Sequence, residues 1–383
     1  MFKGQNQGVN HYVDSPAYRA KPYPDQAWDQ AIALGMNCIQ FGGGQEGNVL
    51  HCQLNENHPY GRAYDSDWAS SLEAFLAKAA SYGIKVVFHS MGSYYGTNLG
   101  FVPPMHNYST NAPDGNPWKY QSLAELEVLL NKLAGNNSLG KNFLTDSRIA
   151  WWSPINEARM NLGYVKDWTV GMLRMLKERG AKTSVCVNDG AHHYWETFPY
   201  IIPIIGDYID YLQAHDYQSD LVIVPTRNDP TADLYTLSYN AFLDHLTVMA
   251  DGRGGFPLDH VMLTETGMGH RSNGLPWHYH REGDFWQTKQ QQADYIKGCF
   301  DAAKTVGLTN IFYHETIWMR PYPTDTTWGF GFVNYDGSMT NQLAYDVYKA
   351  ATLEPVVPLP LPFHDDFVDL SKWTQLKGIW GIV

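Results

Sequence analysis

The chain has 383 residues, which suits one large α/β barrel with an appendage, since such barrels need about 250 residues plus insertions. A formal charge of −12 leaves no basic stripe to neutralise phosphates, which argues against nucleic acid or an anionic membrane as partner, and no run of ~18 apolar residues offers a membrane span. Aromatic residues are in surplus at 14%, while charged residues reach only 17% against roughly 25% in an average globular domain, so a large packed core and a ring-stacking surface both remain open readings.

Taken in chain order, strand-like apolar runs alternate with segments of helical period. Gly8–His11 predicts a first strand and Asp25–Leu34 a first helix; Asn37–Gly42 with Asp67–Tyr82 and Lys85–Ser90 with Ser122–Leu133 follow. Ile149–Glu157 with Val165–Arg179, Thr183–Asp189 with Tyr194–Ile205, and Tyr208–Tyr217 with Asp233–Met249 continue the series. It closes with His260–Thr266 and Phe285–Val306, then Asn310–Trp318 and Asn341–Ala350. Gly35, Gly83, Gly180 and Gly307 stand just past predicted helix ends, where a left-handed cap favours glycine. Eight β-α units in order predict a (β/α)8 TIM barrel over residues 1–353. A doubly wound open sheet is the alternative, but no Gly-x-Gly-x-x-Gly follows the first strand.

The segments after strands are long, notably Gly43–Tyr64, Met91–Lys119 and Gly267–Asp284, and they gather Gly, His, Asn, Tyr and Trp on the face where barrels carry their active sites. Residues 354–362 form a Pro-rich linker. Residues 363–383 read as strand and turn and resemble the opening of a jelly-roll module, of which twenty-one residues supply only a fragment. Cys38 and Cys186 lie in apolar runs, where a buried thiol is expected; Cys38 would pair with Cys52 only if the fold brings them together. Asn107 and Asn136 begin glycan-acceptor tripeptides. The first residues lack the apolar stretch of a signal peptide, so the chain reads as intracellular or as one whose signal has been removed.

Chemistry in such a barrel comes from residues at the C-terminal ends of the strands. The predicted fourth strand ends in Asn156-Glu157 and the seventh in Thr264-Glu265-Thr266-Gly267. Two carboxylates emerging from nearly opposite strands can face each other across the mouth. Glycosidic bond cleavage needs that pair, one to protonate the leaving oxygen and one to attack or direct water at the anomeric carbon.

With these elements the sequence resembles glycoside hydrolase clan A, the retaining barrel glycosidases, over residues 4 to 351. The resemblance rests on Asn156-Glu157, on Glu265, on His215-Asp216-Tyr217 ending strand six, on Trp318 ending strand eight, and on the turn from Trp328 to Gly337. The arginine often found near the second or third strand end in that clan has no counterpart; strand two ends in Gln40-Phe-Gly-Gly-Gly44. The resemblance implies Glu157 as general acid/base and Glu265 as nucleophile. Asn156 would hold the 2-hydroxyl, Tyr217 would hydrogen-bond Glu265, and His215 would help set the protonation of the pair. The carboxyl groups would then lie about 5–5.5 Å apart and configuration would be retained.

Other residues are candidates for substrate contact: His89 ending strand three, His11 with its neighbours Asn10 and Tyr12 ending strand one, Asp189 after strand five, and Trp318 as an aromatic floor. Asp189 is equally suited to cap the next helix. Trp277, Trp286, Trp118, Tyr94 and Tyr95 lie in or beside the long loops, as packing or as sugar-stacking rings. Strand alternation from Trp318 turns the rival carboxylate Glu315 away from the centre. His278 and His280 have metal-ligand chemistry, and His192 and His193 could add to it, but spacing places no third ligand.

The expectation is a retaining glycoside hydrolase, endo-acting on a β-linked polysaccharide with β-glucan first and mannan, xylan or galactan behind it, without cofactor or metal. Its partners would be a polysaccharide or oligosaccharide and a C-terminal carbohydrate-binding module, and a polymeric substrate implies work outside the cell. The alternatives are a non-catalytic glycan-binding barrel and a metal-dependent hydrolase using His278 and His280.

Overall fold

The computed structural model describes residues 1–7, 25–41, 68–89, 94–96, 100–102, 123–155, 158–160, 163–188, 193–223, 225–226, 229–268, 288–314, 316–318, 331–334, 337–352, 373–376 and 379–382. The barrel strands are β1 (Phe2–Gln7), β2 (Cys38–Phe41), β3 (Lys85–His89), β4 (Ile149–Ser153), β5 (Ser184–Asn188), β6 (Tyr211–His215), β7 (Val261–Thr266) and β8 (Asn310–Tyr313). After each comes a helix: α1 (Asp25–Ala33), α2 (Trp68–Ser81), α3 (Leu123–Leu133), α4 (Gly163–Glu178), α5 (Phe198–Ile205), α6 (Leu234–Asp251), α7 (Lys289–Val306) and α8 (Gln342–Ala350). All ladders between barrel strands are parallel, in the order β4-β3-β2-β1-β8-β7-β6-β5. The ring closes from β4 to β5 through a bridge between Trp152 and Thr183 and through Ala158 and Arg159, which pair with Val187 and Asn188 of β5. This is a (β/α)8 barrel.

The strand faces divide as period-2 pleating requires. Inside the barrel, Cys38, Val87, Trp151, Tyr211, Met262 and Phe312 form one buried cluster, with the Trp151 ring 5.3 Å from Tyr211 and 5.7 Å from Phe312. Outward residues such as Ile39, Val86, Leu212, Leu263 and Ile311 pack under the helices. Trp28, Trp151, Trp152, Phe88, Phe143, Phe198, Phe242 and Phe312 are all fully buried, so much of the aromatic surplus is core.

The helix stops follow the expected chemistry. Gly35, Gly83, Gly180 and Gly307 have φ of 71°, 70°, 78° and 81°, a region that costs glycine nothing. Helix α7 starts in a capping box between Thr288 and Gln291. The predicted helix Tyr194–Ile205 is two pieces, a 3-10 turn at Tyr194–Glu196 and then α5, because Pro199 fits the first turn of a helix but not its interior. Gly298 of α7 sits where α6 passes closest: a Cβ there would lie 2.8 Å from Tyr239 N and 2.9 Å from Tyr235 O.

Two strands differ from expectation. The first strand is Phe2–Gln7 rather than Gly8–His11, which lies outside the described residues. Its sequence has one large apolar residue, and Gly4 is required inside the barrel because a Cβ there would collide with the Cys38 carbonyl oxygen and lie 2.9 Å from the Phe312 ring. The eighth strand ends at Tyr313, and Ile317–Trp318 pairs instead with Val333–Asn334. Alternation counted back from Trp318 therefore does not carry to Glu315, which lies outside the described residues.

At the bottom of the barrel Lys3 ties the first strand to the last helix. Its Nζ donates to the carbonyls of Tyr348 (2.6 Å), Lys349 (3.4 Å) and Ala351 (2.9 Å), and burial lowers its pKa to about 8. Beyond residue 352, the described residues are two antiparallel strands, Trp373–Leu376 and Ile379–Ile382; those of the Pro-rich stretch are not among them. No described helix is long and apolar enough to cross a membrane.

Candidate active site

Glu265 stands at the C-terminal end of β7, and simple alternation would turn it outward. Met262 pairs with Gln213 on the inner side of β6, Leu263 with Ala214 on the outer side, and the register then shifts so that Glu265, not Thr264, pairs with His215. The ladder to β8 shows the same slip, with Leu263 opposite Ile311 and Thr266 opposite Tyr313, all outward. An extra residue in one strand is a β-bulge, and here it re-aims the glutamate into the barrel mouth.

Two side chains from the end of β6 meet the carboxylate on one oxygen. The Tyr217 hydroxyl donates to Oε2 at 2.7 Å, and His215 Nδ1 lies 3.3 Å from the same atom. His215 is 1% and Glu265 7% exposed, so the three groups interact with little solvent screening. The strands are also joined along the main chain, where Asp216 N donates to Glu265 O at 2.9 Å.

Helix α7 holds the ends of both strands. The Tyr295 hydroxyl donates to Tyr217 O at 2.9 Å, and because that uses its one proton, the Thr266 hydroxyl 3.1 Å away donates to it. Complete burial raises the Tyr295 phenol well above its ordinary pKa and keeps it a donor. One residue past Gly267, Met268 O accepts from the Tyr313 hydroxyl at 3.0 Å and from Gln292 Nε2 at 2.7 Å; Asn341 Nδ2 in turn donates to Gln292 Oε1 at 2.7 Å. Neutral hydrogen bonds from β8 and α7 thus fix the outgoing turn of β7.

Of the residues singled out from sequence, the structure brings together Glu265, His215 and Tyr217. The backbone of His89 ends β3, where it pairs with Ser153 of β4. Tyr94 opens a hairpin of Tyr94–Gly96 with Gly100–Val102, and Trp318 lies on the short strand beside Asn334. The side chains of these three lie outside the described residues, as do Asn156, Glu157, His11, Asp189, Trp277, His278 and His280 altogether. Among the described residues, no group of three or more His, Cys, Asp or Glu side chains could hold a metal ion.

Sequence reasoning gave Asp216 no role of its own and passed over Gln218, His245, Tyr295 and Gln292. One signal was present: His245 falls on the buried stripe of α6 with Ser238, Ala241, Phe242 and Met249, where a histidine needs a partner.

No family model matches the chain, and no curated protein does. Solved structures do share its fold. A glycoside hydrolase family 5 mannosidase from Rhizomucor miehei superposes with a TM-score of 0.57 at 14% identity, covering 92% of this chain and 93% of that one. A GH5_18 structure from Streptomyces cattleya, in complex with GlcNAc, gives 0.56 at 13% identity over 92% and 81%. The β-D-glucuronidase of Dictyoglomus thermophilum gives 0.53 at 12% identity over 91% and 50%, so the present chain spans about half the length of that protein.

Proposed function

We propose that this protein is a retaining glycoside hydrolase acting on a β-linked glycan at the C-terminal mouth of the barrel. The observation that carries the reading is the inward-turned Glu265 with Tyr217 and His215 converging on its Oε2. A carboxylate pointed into the mouth by a bulge and oriented by a tyrosine is suited to nucleophilic attack on an anomeric carbon. The fold, shared with mannosidase and glucuronidase structures, supports the same reading.

In this mechanism Glu265 attacks the anomeric carbon and forms a covalent glycosyl-enzyme, while Glu157 protonates the departing oxygen. Water activated by Glu157 then releases the sugar with retained configuration. Tyr217 holds the nucleophile's orientation as the ring flattens towards an oxocarbenium ion, and Asn156 contacts the 2-hydroxyl. β-Glucan is the first substrate, with mannan, xylan and galactan next, and the protein works outside the cell.

The test is to assay wild type, Glu157→Ala and Glu265→Ala on a panel of aryl β-glycosides and polysaccharides, with and without azide. Both variants should lose activity, and azide should restore turnover of the aryl substrates. The glycosyl azides should have opposite anomeric configurations, α from Glu265→Ala and β from Glu157→Ala. Full activity in Glu265→Ala would overturn the mechanism.

A further inference from the structure

Glu265, Tyr217 and His215 leave unexplained the carboxylate lodged between the last two. The Asp216 side chain is fully buried, and burying a carboxylate is costly unless it is paired and hydrogen-bonded. Its Oδ1 accepts from Gln218 N at 3.1 Å and its Oδ2 from Gln218 Nε2 at 2.6 Å. His245 Nδ1, reaching in from α6, lies 2.9 Å from that Oδ2 and 2.7 Å from Gln218 Nε2. Gln218 itself has φ of 51°, a left-handed conformation uncommon for a residue with a side chain. Its backbone is held there by its contacts rather than by preference. Behind the network, the His245 ring stacks on Trp195 at 3.8 Å and 13°, and Trp195 stacks on His193 at 4.6 Å and 5°.

An apolar turn would fill this space without desolvating a carboxylate. The chain instead places a buried charged group and a strained residue on either side of Tyr217, the residue whose hydroxyl meets Glu265. Tyr295 holds the Tyr217 carbonyl and the His314 ring stands edge-on to the tyrosine ring at 6.3 Å, while residues 216 and 218 set the backbone on either side of it.

We propose that Asp216, Gln218 and His245 form a positioning unit that fixes the Tyr217 hydroxyl on Glu265. This rests on reading Glu265 as the reacting carboxylate. None of the three touches the reacting atoms; they act through Tyr217, and their effect falls on the chemical step rather than on substrate binding.

A double-mutant cycle tests this. kcat and KM are measured on the dinitrophenyl β-glycoside that the wild type cleaves fastest, for His245→Leu, His245→Asn, Tyr217→Phe and the Tyr217→Phe/His245→Leu double variant, with thermal unfolding of each. His245→Leu should lower kcat about tenfold with KM within about twofold, since an interaction made in the transition state has been loosened. His245→Asn, whose side-chain amide stands near the place of Nδ1 and can donate or accept, should recover most of the loss. With the tyrosine hydroxyl already gone, His245→Leu should cost less than about twofold more, the signature of residues acting as one unit. Equal losses in both backgrounds, or unchanged kcat in His245→Leu, would overturn the proposal. Should His245→Leu fail to fold, Gln218→Ala closes the same cycle with the same expected coupling. Glu265→Ala runs alongside: full activity there overturns the reading of the site itself, whereas an inactive, azide-rescued Glu265→Ala with an additive cycle overturns the positioning unit alone.

Discussion

Glu265 faces His215 across the ladder between β6 and β7 because the register slips by one residue after Leu263. Without that slip the glutamate would point into the helical layer and Thr264 into the mouth. The bulge gives β6 and β7 a shared inner edge, on which the Tyr217 hydroxyl closes at 2.7 Å.

Tyr217→Phe removes that donor and little volume. A buried hydrogen bond to a charged group is worth about 1.5–3 kcal/mol, so kcat should fall about 10- to 100-fold on a reactive aryl glycoside. The unfolding midpoint should fall as well, since the same bond supports the folded state, although the Tyr217 carbonyl keeps its bond from Tyr295. Steady-state kinetics beside a thermal melt separate the two effects.

Gly298→Ala should be strongly destabilising, by about 2–3 kcal/mol, because the added methyl meets the α6 backbone rather than a yielding side-chain tip. Helix α6 also carries His245, so activity in the surviving folded protein should fall as well. Denaturant unfolding and activity per folded molecule are the two readouts.

Acid should weaken the barrel through one cluster. The Arg148 guanidinium donates to Glu73 at 3.0 and 2.7 Å and also bonds Asp146, and with Lys141 it holds the Glu73 carboxyl at about 2, below its ordinary 4.5. A depressed carboxylate stabilises the fold fully above pH 4.5 and progressively less as pH falls towards 2. Arg148→Ala should cost about 1–2 kcal/mol at neutral pH and flatten the stability–pH slope in that window, as followed by urea unfolding.

Lys3 has the opposite sign. Its pKa is lowered from 10.5 to about 8, so the unfolded chain binds the proton more tightly and stability should rise with pH between those values. Lys3→Met should abolish that rise and cost about 1–3 kcal/mol by leaving the carbonyls at the end of α8 without their donor. Melts across pH 7–11 would show both.

The regular parts of the barrel were legible because their chemistry is local. Helix α7, with Thr288, Gln291 and Gly307 at its ends, declares itself in the sequence. Strand β1 does not, since Phe2–Gln7 is a strand through its two neighbours rather than its own side chains. The bulge in β7 was equally hidden: a one-residue slip leaves composition unchanged, and Glu265 was picked out by its place at the strand end and by resemblance, not by counting alternation. The network on Asp216 was unreadable for a different reason, as Gln218 and His245 meet only once α6 packs against the end of β6.

The contact of Lys3 with Ala351 also settles where the chain leaves the barrel. Lys3 lies at the start of the first strand, on the rim remote from Glu265, and Ala351 O is 2.9 Å from its ammonium. Both ends of the barrel chain therefore meet on the floor, so they could be spliced by a short linker and new termini opened elsewhere without disturbing the strand order. The polypeptide that follows Ala351 therefore starts on the side of the barrel facing away from the mouth where Glu265 stands.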